Sequence, residues 1–287
     1  MKKFEFTGET KTLLDGTVLH RIKALVRIES DAGNVEVGDI GGWIEKEDNL
    51  SHNGNAWVYG NARVFDNALV YGDAGVYGNA EVYGNARVFD NALVYGNAEV
   101  YDNARVFGNA EVYGDAWVAG NAEVYGNARV FDNALVYGDA GVYGNAEVYG
   151  NARVFGDAGV AGNAEVYGNA RVFGNAGVYG EAGVYGEARV YGDAEVYGEA
   201  RAYGDARVFR MEHYLVMGPI GSRNAFTTFF RTKDGRIKVV CGCFFGTIDE
   251  FLAKVKQTHG DSKHAKVYQA AVEVALTQLE DVEKEEY

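Results

Sequence analysis

The stretch Asn55-Ala56-Trp57-Val58-Tyr59-Gly60-Asn61-Ala62-Arg63-Val64-Phe65-Asp66 sets a six-residue pattern, Asn/Asp/Glu–Ala–x–Val–Tyr/Phe–Gly/Asp. Ala returns at every sixth position from Ala56 to Ala206, and Val at every sixth from Val58 to Val208 with the one exception of Ala202. That makes 26 units without insertion or deletion. Self-similarity this strict marks a solenoid, in which each unit buries its apolar face only against its neighbours. Within a unit, Ala-x-Val-Tyr alternates with the period of a strand, so Ala and Val share one side and x and the aromatic share the other. Gly-Asn, Asp-Asn or Gly-Asp then turns the chain, because these residues tolerate a positive φ. Ala and Val are compact and take the narrow interior. The rings are too bulky for it and stand outside, where spacing by 18 lines them up in ladders such as Tyr59, Tyr77, Tyr95 and Tyr113.

Val58-Tyr59-Gly60-Asn61-Ala62-Arg63 and its successors resemble the hexapeptide-repeat family. The resemblance covers more than half of the chain. It implies a mainly β fold: a left-handed parallel β-helix with three hexapeptides per coil and eight to nine coils. It also implies trimers, since many members are trimeric, and makes a homo-oligomer the first partner to expect. Many members are acyltransferases with a histidine base and a loop protruding from the coils. This chain departs on both counts. Its histidines are His20, His52, His213, His259 and His264, all outside the repeat, and no loop interrupts the 26 units. No catalytic residue is assigned in the coils. Residues 58–89 also recur identically as 124–155. The offset of 11 hexapeptides is not a multiple of three, so the copy lands on another face, as suits a scaffold rather than a face-specific pocket.

The formal net charge of the chain is −14. Residues 55–210 carry 20 acidic residues against 10 arginines and no lysine. Such a surface lacks the dense positive patch that binding a phosphate backbone requires, which argues against nucleic acid as a partner. Arg153, Arg171, Arg189 and Arg207, spaced by 18, would stack in one column and form a candidate anion site. The start, Met-Lys-Lys-Phe-Glu-Phe-Thr, has no apolar run after its lysines and does not read as a signal peptide. No stretch reaches the roughly 20 apolar residues of a membrane span. The expected setting is cytoplasmic, in a bacterial or phage-infected cell, with no membrane partner. Cys241 and Cys243 are too close along a strand to join each other and are expected to be reduced.

A solenoid leaves open edges at both ends, and these need covers. Residues 1–54 read as a β cap, 55–209 as the solenoid and 210–287 as a small α+β domain. Gly38-Asp39-Ile40-Gly41-Gly42-Trp43-Ile44, Asn49-Leu50-Ser51 and Asn55-Ala56-Trp57-Val58 resemble the entry segment of YdcK-type hexapeptide proteins, which carry a transferase label. Similar entry segments occur in phage and prophage genomes. Trp43 is expected to plug the first coil. In the C-terminal region, His213–Met217, Ala225–Arg231 and Ile237–Phe244 read as strands. A helix over Ile248–Thr258 starts at the capping box Thr247/Glu250. A last helix follows Asp261 or Ser262 and buries Ala265, Tyr268, Ala271, Val272 and Ala275. This region resembles a module of phage-associated proteins through Gly-Pro-Ile-Gly-Ser-Arg, Val-Val-Cys-Gly-Cys-Phe and Thr-His-Gly-Asp.

Chemistry is confined to that C-terminal region. Ser222, Arg223, Thr227, Cys243 and His259 are candidates to line a small-molecule pocket. Cys241, Cys243, His259 and His264 are candidates to hold zinc, although the CxC spacing is shorter than that of the usual finger. No other cofactor is expected. The first functional reading is a non-enzymatic, phage-associated structural or interaction protein that meets a protein or small-molecule partner through its C-terminal domain. The second is a phage-type module that sequesters a nucleotide signal or a host defence protein. The third is an enzyme with Cys243 and His259 as nucleophile and base.

Overall fold

A computed structural model of the chain describes residues 1–30, 33–232 and 234–280. The chain divides into two compact units, Met1–Asp157 and Ala158–Tyr287. Both carry the repeat, and together they hold about nine turns of parallel β-solenoid.

In the first unit the coils follow the six-step pattern. Each hexapeptide contributes a short strand at x-Val, such as Arg63–Val64 and Glu81–Val82, and pairs in parallel with the residues 18 further on. An 18-residue register over hexapeptides means three sides per turn, hence three sheets. A hexapeptide stacked on its neighbour within the unit donates along the stack from three amides. Arg63, Phe65 and Asn67 N–H groups reach the carbonyls of Ala80, Val82 and Gly84 at 2.8–3.1 Å. Ala and Val point inward and are fully buried from Ala56 through Val154, apart from 1 % exposure at Val70. Burying one such Val is worth about 1.5–3 kcal/mol, and each contribution exists only because a neighbouring coil covers it.

The residue after each ring turns the corner in the left-handed region. Most are Gly with φ of 65–77°; Asp66, Asp90, Asp102 and Asp132 hold φ of 56–58°. An aspartate pays strain there, and a bond across coils offsets it. Asp66 accepts from the Gly84 N–H at 3.1 Å, and Asp90, Asp102 and Asp132 accept from Gly108, Gly120 and Gly150 at 3.3 Å. The acceptor's neighbour is Gly in all four, so no two of these carboxylates stack. The next residue of each turn builds a second ladder that spacing alone did not reveal. The Asn85 amide donates to Asn103, Asn103 to Asn121 and Asn121 to Asp139, at 2.8–3.1 Å. Asp can only accept, so it terminates the run of amides.

The cap of this unit differs from its reading in two respects. β1 (Phe4–Thr12), β2 (Val18–Ala24) and β3 (Ile40–Ile44) form an antiparallel set, and β3 then pairs in parallel with Arg63–Val64. Ile44 sits opposite Val64, and Leu50 bridges to Val70, so these two take inward Val positions. The tube therefore begins before residue 55. Trp43 does not plug it. Opposite Arg63 in register, it occupies an outward x position, packs with Leu19 and Phe65, and carries the Arg21 guanidinium 4.9 Å above its ring.

In the second unit, three further strands stand on each side, with Val190 between Val172 and Val208. The C-terminal sheet runs Tyr214–Ile220, Ala225–Arg231, Ile237–Cys241 and Phe244–Thr247, all antiparallel. The expected single strand Ile237–Phe244 is instead a hairpin, broken where Gly242 turns at φ 58°. Helices α1 (Ile248–His259) and α2 (Lys263–Glu280) cover one face, on Phe229, Val239, Phe251, Tyr268 and Ala275. The Thr247/Glu250 capping box is present. The other face closes the last coil. Phe230 and Thr228 lie over Val196, Ala200, Ala202 and Val208, Ala206 bridges to Thr232, and Lys238 pairs with Asp205 at 2.8 Å. Phe230 covers the last coil beside Ala202, the one inward position that lacks its Val.

Candidate functional site

The aromatic residues of the repeat stand on the outside of the coils in ladders. In the first unit, Tyr77, Tyr95, Tyr113, Phe131 and Tyr149 stack with centroids 4.7–4.9 Å apart and planes within 4°. The rings are half-buried by one another. Burial and the neighbouring Glu99 and Glu111 carboxylates push the phenols of Tyr83 and Tyr95 well above their ordinary range. They are neutral donors, Tyr83 to Glu99 at 3.0 Å and Tyr95 to Glu111 at 2.7 Å, with no acid–base role near neutrality. Arginines at x positions pair with a glutamate one coil on, Arg105 with Glu123 and Arg129 with Glu147.

The arginine column is assembled in part. Arg153 lies in the first unit, opposite Leu135. In the second, Arg171, Arg189 and Arg207 are direct register neighbours. Arg207 donates to the carbonyls of Glu187, Asp205 and Ala206 at 2.9–3.3 Å, which turns it toward its own backbone.

The C-terminal domain holds the more structured site, a cavity of about 270 Å³. The Gly242–Cys243 hairpin turn forms one wall. Ser222 and Arg223, in the turn between the first two strands, form another. The Phe251, Lys254, Val255 and His259 side of α1 closes it, with Tyr268 of α2 at the base. Four of the five expected residues, Ser222, Arg223, Cys243 and His259, meet here. Thr227 does not. It is fully buried on the helix side of the sheet and donates to the Cys241 sulfur at 3.2 Å. Cys241 in turn lies 3.9 Å from the Tyr268 hydroxyl. Burial, then Cys241, pushes that phenol up to about 12, while Arg223 draws it down. Lys254 and Tyr268 were not singled out from sequence. Their signal was faint: a lysine on an exposed helical turn and a tyrosine read as plain core.

Cys241 and Cys243 are both free thiols. His259 and His264 have ring centroids 6.0 Å apart. Among the described residues no three His, Cys, Asp or Glu side chains gather as a metal-holding group. A further cavity, about 420 Å³, is lined by Tyr197 of the coils and by Glu212, Tyr214, Leu215, Val216 and Gln278, without a convergent charged set.

The coil geometry has a counterpart among known families. The model of the YdcK β-solenoid repeat matches residues 56–72, 62–78, 80–96, 122–138, 128–144 and 164–180. Those segments carry the YdcK-type β-solenoid repeat. The YdcK-type matches fall in both units and touch neither the β1–β3 cap nor the C-terminal sheet and helices, so the cavity of the C-terminal domain stands outside them. No curated protein matches the chain. No helix among the described residues is long and apolar enough to cross a membrane.

Proposed function

We propose that this protein is a non-catalytic scaffold, of the phage-associated kind, whose coils carry a C-terminal domain that engages the partner. The coil interior supports this reading. Within each unit the inward Ala and Val positions of the coils are buried, and the sequence from Asn55 to Phe209 holds no histidine and no inserted loop. A surface made of paired rings, amide ladders and Arg–Glu pairs satisfies its own groups coil to coil. Such a surface serves as a rigid mount. The C-terminal cavity brings together a hydroxyl, two cations and aromatic walls, the elements of a binding pocket. Light scattering on the intact chain tests the assembly, for which a trimer is expected. Pull-down with the Arg223→Ala, Lys254→Ala double variant tests whether the partner is met at the cavity. Undiminished capture would refute that part.

One observation favours a second reading. Arg223 and Lys254 converge on one cavity in a chain of net charge −14, which suits an anionic small molecule such as a nucleotide. Calorimetry with AMP and with ATP should then show binding that the double variant weakens at least tenfold. An absence of heat with both nucleotides removes this reading. Turnover is the third case, and its loss on Cys243→Ala together with His259→Ala would contradict the non-catalytic proposal.

A further inference from the structure

Ala119 interrupts an outer ring ladder. Tyr83 stacks on Tyr101 at 5.1 Å, and Tyr137 stacks on Phe155 at 4.9 Å, but the position between Tyr101 and Tyr137 belongs to Ala119. The two facing rings are thus two steps apart, about 10 Å at the spacing of stacked strands. One aromatic ring set midway would have a partner about 5 Å away on each face, the ordinary distance of an aromatic pair. The structure has a cavity of about 210 Å³ at this place, lined by Tyr101, Trp117, Ala119, Leu135, Val136 and Tyr137. Ala119 is its buried floor at 6 % exposure. Trp117, at the adjoining x position, leans edge-on toward Tyr101 at 6.4 Å and forms a side wall.

Exposure marks the same spot. Among the described residues from 55 to 157, Trp117 and Tyr137 are the large apolar side chains left exposed, at 44 % and 36 %. The rim is acidic. Burial raises the phenol pKa of Tyr101 and the nearby Asp102 and Glu99 carboxylates raise it further, and Asp139 receives the last amide of the Asn ladder beside Tyr137. A phosphate or carboxylate on the occupant would meet these carboxylates unfavourably.

We propose that the gap at Ala119 is a binding slot for one small, planar aromatic ligand without negative charge, held between Tyr101 and Tyr137 with Trp117 beside it. The ligand completes the ladder in place of the missing side chain. The test uses the intact chain in calorimetry and saturation-transfer NMR. Adenosine and N-acetyltyrosinamide serve as probes of a base and a phenol, and AMP as a charged control. At least one uncharged probe should bind at millimolar concentration or below, and AMP should bind at least threefold more weakly than adenosine if adenosine is the one that binds. Ala119→Tyr fills the slot from within and should lower that affinity at least tenfold. Trp117→Ala, which leaves the ladder untouched, should lower it about threefold and serves if Ala119→Tyr does not fold. Lack of binding by both uncharged probes overturns the proposal, as does equal binding by the wild type and a folded Ala119→Tyr. A change in molecular mass for Ala119→Tyr by light scattering would also overturn it, since the slot would then hold a second copy of the chain.

Discussion

Replacing Gly96 by Ala adds one methyl group at a corner where the structure leaves no space for it. The backbone of Gly96 has φ of 74°, and a Cβ there would lie 2.9 Å from the Gly114 nitrogen and 3.0 Å from its oxygen. Both obstacles are backbone, so a coil has to move. Gly60 is the internal control: its φ is 56°, and its nearest neighbour would be the Gly78 oxygen at 3.8 Å. Gly60→Ala meets only the left-handed penalty, about 1 kcal/mol. Gly96→Ala adds an overpacking cost of about 2 kcal/mol. At roughly 3 °C per kcal/mol for a unit of this size, the melting midpoints should fall by about 3 °C and about 9 °C. Gly96→Asp gives the decisive third arm. It is larger than Ala, yet its carboxylate can accept from the Gly114 N–H, as the four native corner aspartates do from their own neighbours. It should be milder than Gly96→Ala. The assay is thermal unfolding of the intact chain by far-UV circular dichroism at one protein concentration. If Gly60→Ala and Gly96→Ala cost the same, or if Gly96→Asp is the worst of the three, the corner account is wrong.

Ala202→Val restores the repeat residue but should destabilise by about 1–3 kcal/mol, because the closed space that Ala202 shares with Phe230 and Thr228 is too small to hold even a water; a rise in the melting midpoint would contradict this tight cover. Lys3 is 2 % exposed, and burial lowers its pKa from 10.5 to about 8 despite its bond to the Ala56 carbonyl. Since the folded value lies below the unfolded one, its cost of roughly 3 kcal/mol is full below pH 8 and fades as pH rises toward 10.5. Stability should therefore rise between pH 8 and 9.5, before the tyrosines titrate, and denaturant titrations should find that slope absent in Lys3→Met. Gly221→Ala would place a Cβ 1.8 Å from the Tyr268 hydroxyl; its displaced ring should reshape the cavity, read as changed NMR shifts for Cys243 and His259, while unchanged shifts would remove Tyr268 from the site.

Much of this was legible in the sequence because the repeat states its own physics. Small Ala and Val every six residues admit few arrangements other than a narrow tube, and the capping box and the apolar side of α2 were readable at the level of single residues. What escaped has a common cause: it depends on which residues the coils bring together. Ile44 and Leu50 occupy inward positions, but the step from Leu50 to Val58 is eight residues, so a six-step reading starts too late. Trp43 is expected to plug the first coil, whereas register places it on the outside, against Leu19 and Phe65. The Asn ladders need an 18-residue neighbour that no local window contains. Gly242 in an apolar run looked like part of a strand, yet its positive φ splits the run and sets Cys243 at the cavity mouth. Thr227 was grouped with the site residues, but in a sheet covered on both faces it points into the core.

Disulfide trapping tests the 18-residue register most directly. In a Cys241→Ser, Cys243→Ser background, Leu93→Cys with Glu111→Cys places the two thiols on paired neighbouring strands. Leu93→Cys with Arg105→Cys, 12 residues apart, places them on different sheets. Under mild oxidation the first pair should cross-link within the chain and the second should not. Cross-linking of the 12-residue pair in preference to the 18-residue pair would contradict the three-sided coil and, with it, the scaffold built on it.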